Sequence, residues 1–172
     1  MNHIELYIHI PFCVRKCKYC DFLSAPADST TIDLYIRQLV DEIKTQSQFY
    51  EEYTVSSIFL GGGTPSILKS ALVTNILSAI FATFKVEANA EVTIECNPGT
   101  VSSERLLNYK AAGINRLSFG LQSTNDSELK VLGRIHTYED FLESFEAGRK
   151  AGFKNINVDL MSALPGQTVE SW

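Results

Sequence analysis

Three cysteines crowd into one short segment, Pro11-Phe12-Cys13-Val14-Arg15-Lys16-Cys17-Lys18-Tyr19-Cys20-Asp21-Phe22, with the spacing C-x3-C-x2-C. That spacing is too tight for three thiols on a regular strand and suits a loop wrapped around one compact metal centre. Three thiolates can hold three irons of a [4Fe–4S] cluster and leave the fourth iron open, which separates a catalytic cluster from an electron carrier. Arg15, Lys16 and Lys18 would offset the thiolate charge and lower the thiol pKa values; the plainer reading is a solvated loop face. The alternative centre is a structural zinc ion with a fourth ligand from Cys96, His3 or His9. There is no second C-x2-C knuckle, and Cys96, at the end of a predicted strand, reads as a small buried hydrophobe.

Other residues with chemical potential fall just after predicted strands. Gly61-Gly62-Gly63-Thr64-Pro65 would let the backbone approach a ligand closely, or form a plain turn. Glu95 is a surface carboxylate or a ligand contact. Gln122 and Asp159 can hydrogen-bond hydroxyl or amino groups, although a strand-end Asp is often only a helix cap. Arg134 carries a planar fork suited to a carboxylate, and otherwise faces solvent. His9 and His136 fit ligands or acids less well than buried, hydrogen-bonded rings. Phe81, Phe84, Phe141 and Phe145 lie at helical spacing and read as core.

These residues need elements to position them. Short apolar runs alternate with amphipathic ones. Strands are predicted over Ile4–Ile10, Val55–Leu60, Glu91–Cys96, Asn115–Gly120 and Asn155–Leu160. Helices are predicted over Thr31 to about Tyr53, with Leu34, Tyr35, Leu39 and Ile43 on one side, and over Ser70–Phe84, Ser102–Ala112 and Thr137–Ala151. Thr30 and Asp33 could cap the first. Phe141, Leu142, Phe145 and Gly148 mark the inner side of the fourth, and a last helix is expected to start near Thr168. Gly113 and Gly152 follow two helices as left-handed stops. The surrounding Lys110–Leu117 and Lys150–Asn157 resemble one another, as repeated βα units would.

Five βα units in a row argue for an α/β fold with a parallel sheet and right-handed crossovers. A doubly wound sheet shares that alternation. The cysteine loop, the glycine run, Glu95, Gln122 and Asp159 all follow or end strands, and in a barrel those ends meet on one face. The expectation is a partial, TIM-like (β/α)6 barrel truncated after about the fifth strand.

The chain has 172 residues, 45% of them hydrophobic, enough for one domain with a real core. Fifteen Lys and Arg against twenty Asp and Glu give a net charge of −5, which argues against non-specific nucleic-acid binding. No apolar stretch approaches the ~18 residues of a membrane helix, and the start shows no signal-peptide pattern. Clustered thiols without a disulfide framework suit a reducing cytoplasm.

The cysteine motif, with Tyr19 before the third Cys, resembles the signature of the radical S-adenosylmethionine (SAM) superfamily. The match extends to Tyr7-Ile8-His9-Ile10-Pro11-Phe12-Cys13, Gly61–Ser66, Glu95–Thr100, Asn115–Ser123, Leu132–His136 and Asp159–Gln167, which together resemble the HemN/HemW group. That group comprises oxygen-independent coproporphyrinogen III oxidases and related heme chaperones. The resemblance implies a [4Fe–4S] cluster on Cys13, Cys17 and Cys20. It also implies SAM contacts from Tyr7, Tyr19, Gly62, Gly63, Thr64, Glu95, Gln122, Arg134 and Asp159, the glycine strip taking the amino group of the methionine part. Residues 1–172 would form one radical SAM core domain, incomplete at its C-terminus. The oxidases carry a fourth Cys two residues after the third, where this chain has Phe22; that departure resembles the heme-chaperone branch. Implied partners are a heme or porphyrin ligand, an electron donor such as flavodoxin or ferredoxin, and a heme acceptor. Heme itself is expected to bind in the full-length protein rather than tightly to this chain alone.

Overall fold

A computed structural model describes residues 2–172. Five strands, β1 (Asn2–Ile10), β2 (Tyr53–Gly62), β3 (Val86–Cys96), β4 (Arg116–Gln122) and β5 (Asn155–Leu160), form one sheet in the order β1-β2-β3-β4-β5. Every neighbouring pair is parallel. The helices are α1 (Ser29–Ser47), α2 (Ser70–Thr83), α3 (Ser103–Ala111), α4 (Asp126–Leu132) and α5 (Tyr138–Lys150). Sequential order without reversal leaves no point where successive crossovers change sides, which excludes the doubly wound alternative. The sheet is open, an arc of five consecutive strands from a partial α/β barrel.

Strand alternation sorts the two faces. Ile8, Ile10, Ile58, Leu60, Val92, Ile94, Leu117 and Phe119 are buried beneath the helix layer. The intervening positions meet on the opposite face: Tyr7 stacks on Phe59, and Ser118 lies between Asn157 and Asp159. Register aligns His9 with Gly61, Glu95 with Ser118, and Gly120 with Asp159. A packed barrel interior is dominated by branched aliphatic side chains; the polar character here suits a face that receives a ligand.

Local chemistry explains where sequence-based boundaries moved. α1 begins two residues earlier than expected because Asp28, not the Thr30–Asp33 box, caps it, accepting from Thr31 N at 2.8 Å. The helix ends at Ser47, since two successive turns redirect the chain through Tyr50 toward β2. Its apolar stripe is rotated from the expectation: Ile36 and Ile43 are buried and Leu34 is exposed. α4 was not expected; its seven residues are too few to show a period, and Asn125 starts it by accepting from Ser127 N. No helix forms from Thr168, where Ser171 and Thr168 bond one another in a turn. Phe81 and Leu142, expected as inward-facing, are substantially exposed. α5 has a full capping box between Thr137 and Asp140, and Gly113 and Gly152 adopt the expected left-handed conformation (φ 105 and 89). No described helix is long and apolar enough to cross a membrane.

Candidate metal and cofactor site

The cysteine loop leaves the end of β1 and is tied back by its own backbone. Ala25 N donates to Pro11 O at 3.0 Å and Cys13 N to Ala25 O at 3.2 Å. Gly63 N donates to Ile10 O and Thr64 N to Phe12 O, both at 2.8 Å, so the strip after β2 holds the root of the loop. Lys18 N reaches Leu132 O at 3.0 Å, joining the loop to the end of α4. Two of the three loop cations act as braces: Arg15 donates to Gly133 O and Lys16 to Phe22 O.

Cys13, Cys17 and Cys20 are all half-buried and line one cavity of about 290 Å³. Tyr19, Gly62, Gly63 and Thr64 also border it, as do Glu95, Gln122, Arg134 and Asp159. The βα arrangement thus gathers residues far apart in sequence at the C-terminal ends of the strands. Tyr7 is not in this wall: it is 58% exposed, with its hydroxyl 3.2 Å from His9 Nδ1.

The side chains around the cavity are fixed by named partners. Glu95 accepts from Gly62 N at 3.0 Å. Burial holds its carboxyl above the usual range and the nearby Asp159 adds to this, while the Gly62 hydrogen bond and His9 oppose it. Gly62 is left-handed (φ 109) and abuts the His9 ring, where a Cβ would stand 2.5 Å from Nδ1. Arg134 Nη2 donates to Asn97 Oδ1 at 2.8 Å and to Gly120 O; Nη1 lies 3.6 Å from Cys17 Sγ and 3.5 Å from the Tyr19 hydroxyl. Its Nε is buried without a partner. Gln122 is a non-glycine residue at φ 74, a conformation that persists only where surroundings enforce it. Here the Gln122 carbonyl accepts from Met161 N at 2.9 Å.

The zinc alternative loses each of its candidate fourth ligands. His3 pairs with Glu87 at 2.8 Å. His9 is engaged by the Tyr7 hydroxyl and by Leu23 O. Cys96 adjoins the cavity, but its thiol is buried, 3.8 Å from Ile94 O, and burial pushes its pKa up so that it stays protonated. Among the described residues, no three His, Cys, Asp or Glu side chains converge closely enough to hold a single metal ion. All three loop thiols nevertheless border the same cavity.

Asn97, Ser118 and Met161 also line the cavity, and were missed. Asn97 joins Arg134 to the Thr64 hydroxyl (Nδ2 to Oγ1, 3.1 Å). The strand-end rule that selected Glu95 also covers Asn97, but Asn-Pro-Gly reads first as a turn. Ser118 is mid-strand and Met161 apolar, so neither carried a signal.

His136 is a buried ring rather than a ligand: it is 6% exposed and its Nε2 sits 3.2 Å from Leu121 O, to which it must donate. Burial, and then the Arg134 charge, pull its pKa down to about 4. The folded chain keeps the ring neutral while the unfolded chain protonates near ~6.5. Stability should therefore be full above that pH and decline as pH falls toward 4, by up to about 3 kcal/mol. Urea unfolding between pH 7 and 4.5 checks this, and H136Q should flatten the slope.

A profile of the radical SAM superfamily matches residues 7–172. The chain is 40% identical over 168 residues to "Heme chaperone HemW" of Escherichia coli K12, covering 97% of this chain and 44% of that protein. It is 40% identical over 165 residues to the protein of the same name in Bacillus subtilis 168, covering 95% and 44%. Among solved structures, coproporphyrinogen III oxidase (HemN) from Escherichia coli, described as a radical SAM enzyme, superposes with TM-score 0.90 at 32% identity, covering 99% of this chain and 39% of that one. The chain thus spans less than half the length of these proteins.

Proposed function

Since the chain belongs to the radical SAM superfamily, we propose that Cys13, Cys17 and Cys20 hold a [4Fe–4S] cluster beside a SAM site, in a protein that handles heme in the manner of the HemW chaperones. The observation carrying this reading is the convergence of three thiols, a glycine strip, Glu95 and Arg134 on one cavity. When bound, the cluster supplies one-electron reducing power and an iron free to take an exogenous ligand.

The chain's own residues provide the rest. The amides of Gly62, Gly63 and Thr64 are already donated to Glu95, Ile10 and Phe12. An ammonium group carries only donors, so at this strip it would be met by backbone carbonyls or the Glu95 carboxylate. Arg134, anchored through Nη2, brings its positive charge beside Cys17 and favours a carboxylate there. Gln122 and Asp159 offer polar atoms for ribose hydroxyls. Cys13 Sγ lies 3.4 Å from the Thr64 hydroxyl, a donor able to stabilise its thiolate.

Anaerobic reconstitution followed by iron and sulfide analysis tests the cluster. An EPR spectrum of the reduced protein that changes on adding SAM tests the adjoining site. An unchanged spectrum, or no inorganic sulfide, overturns the reading. R134K should weaken SAM binding about tenfold, because an ammonium cannot reproduce a planar fork anchored on two acceptors; equilibrium titration measures it.

A second reading, oxidative decarboxylation of porphyrinogen propionates, is favoured by the close superposition on the HemN oxidase. The resemblance places a cysteine in such oxidases where this chain has Phe22. Formation of vinyl product from coproporphyrinogen III by the reconstituted protein would decide for the oxidase; its absence alongside heme binding or transfer would decide for the chaperone.

A further inference from the structure

The buried carboxylate of Glu128 has no part in the site described above. It sits on α4 at 7% exposure, where an acidic side chain is uncommon without a reason. Its partners come from two separate loops. Oε2 accepts from the Ser123 hydroxyl at 2.5 Å, directly after β4, and from Gln167 Nε2 at 3.1 Å, in the turn after β5. Oε1 accepts from Ser171 Oγ at 3.5 Å. Gln167 in turn holds Leu164 N through its Oε1 at 3.2 Å. The motif Leu164-Pro165-Gly166-Gln167 is thereby given a function: its glutamine is the far half of a bridge to α4.

The bridge spans the part of the chain that shapes the cavity wall. Gln122 and Ser123 lie on one side of it, Asp159 and Met161 on the other, and Met161 N donates to Gln122 O between them. Both loops carry a non-glycine residue in the left-handed region, Gln122 at φ 74 and Ala163 at φ 59. Such positions relax unless surrounding contacts hold them. Among the described residues, the Glu128 carboxylate contacts both loops through side chains, Ser123 on one and Gln167 and Ser171 on the other.

The geometry points to Glu128 and Gln167 as a paired latch: positioning residues that seat the loop after β5 against the loop after β4 and so set the wall formed by Gln122, Asp159 and Met161. What the wall binds rests on the SAM reading; the latch itself does not.

The test is a charge exchange in the full chain. Q167E sets a carboxylate against the Glu128 carboxylate and should release the loop. E128Q/Q167E restores one acid and one amide in exchanged positions. Hydrogen exchange at the Met161 amide reads the latch without ligand: exchange should quicken about tenfold or more in Q167E and return to within about threefold of wild type in the double variant. Iron and sulfide content should stay unchanged throughout, since among the described residues no hydrogen bond joins the cysteine loop to Glu128 or Gln167. SAM affinity, titrated with the oxidised cluster, should fall and recover in parallel. Q167A, which removes the Gln167 half of the bridge without adding charge and leaves only the long Ser171 contact at 3.5 Å, serves if Q167E fails to fold, and should quicken Met161 exchange by itself. Unaltered Met161 exchange in Q167E and Q167A overturns the latch, as does a double variant no better than Q167E. Absence of SAM binding in wild type with the exchange pattern intact overturns the SAM reading and leaves the latch standing.

Discussion

Replacing Cys17 with alanine should abolish the uptake of iron and sulfide that the proposed ligand set requires, while leaving the fold in place. Wild-type chain reconstituted anaerobically should carry about four irons and four sulfides, and C17A less than about a tenth of that, because two thiolates cannot hold the cubane that three retain. Cys17 lies outside the buried core. It is half-buried, and among the described residues its thiol is met by Arg134 at 3.6 Å. Denaturant unfolding should therefore change by no more than about 0.5 kcal/mol, as for substitutions away from packed positions. C96A supplies the contrast. Cys96 is buried in the layer between sheet and helices, so its truncation should cost about 1 kcal/mol and leave cluster content unchanged. Inorganic sulfide retained by C17A, or lost from C96A, would contradict the assignment of ligands.

Substitution of Gly63 by alanine acts on the same loop from the opposite side and disturbs both fold and site. A Cβ at Gly63 would stand 2.6 Å from Phe12 O, 2.8 Å from Ile10 O and 2.9 Å from Phe12 N. All three are backbone atoms, so no rotamer change relieves the clash. Strand and loop must separate, and the bonds from Gly63 N to Ile10 O and Thr64 N to Phe12 O are the first to lengthen. Overpacking of this kind costs about 3 kcal/mol, and the displaced loop root should reduce cluster loading severalfold. Gly99 offers the control. It is left-handed (φ 77), but nothing lies within 4 Å of its added Cβ, so G99A should cost only about 1 kcal/mol and load normally. Paired denaturant curves and sulfide assays separate the two. Equal stability of G63A and wild type would show that the strip does not hold the loop.

Residue type and spacing determined a good deal by themselves. Three thiols at C-x3-C-x2-C exclude a regular strand. Alternation of period two with period 3.6 defines βα units. Gly113 and Gly152 stop their helices because left-handed backbone costs a glycine almost nothing. Polar residues at strand ends pointed to one face, and Glu95, Gln122 and Asp159 do border one cavity. Short and weakly periodic segments were not legible: α4 is only seven residues, and the stripe of α1 is rotated because which apolar residues are buried depends on what packs against them.

The tertiary structure alone decided the rest. Sequential strand order, a property of pairing between distant segments, separated a barrel arc from a doubly wound sheet. Placement removed Tyr7 from the cavity wall and brought in Asn97, whose partners lie 33 and 37 residues away along the chain. Local sequence specifies backbone propensity and side-chain chemistry. Which hydrogen bonds a side chain completes depends on elements it meets only after folding, and so the partners of Arg134, Asn97 and Glu128 could be read nowhere but in the folded chain.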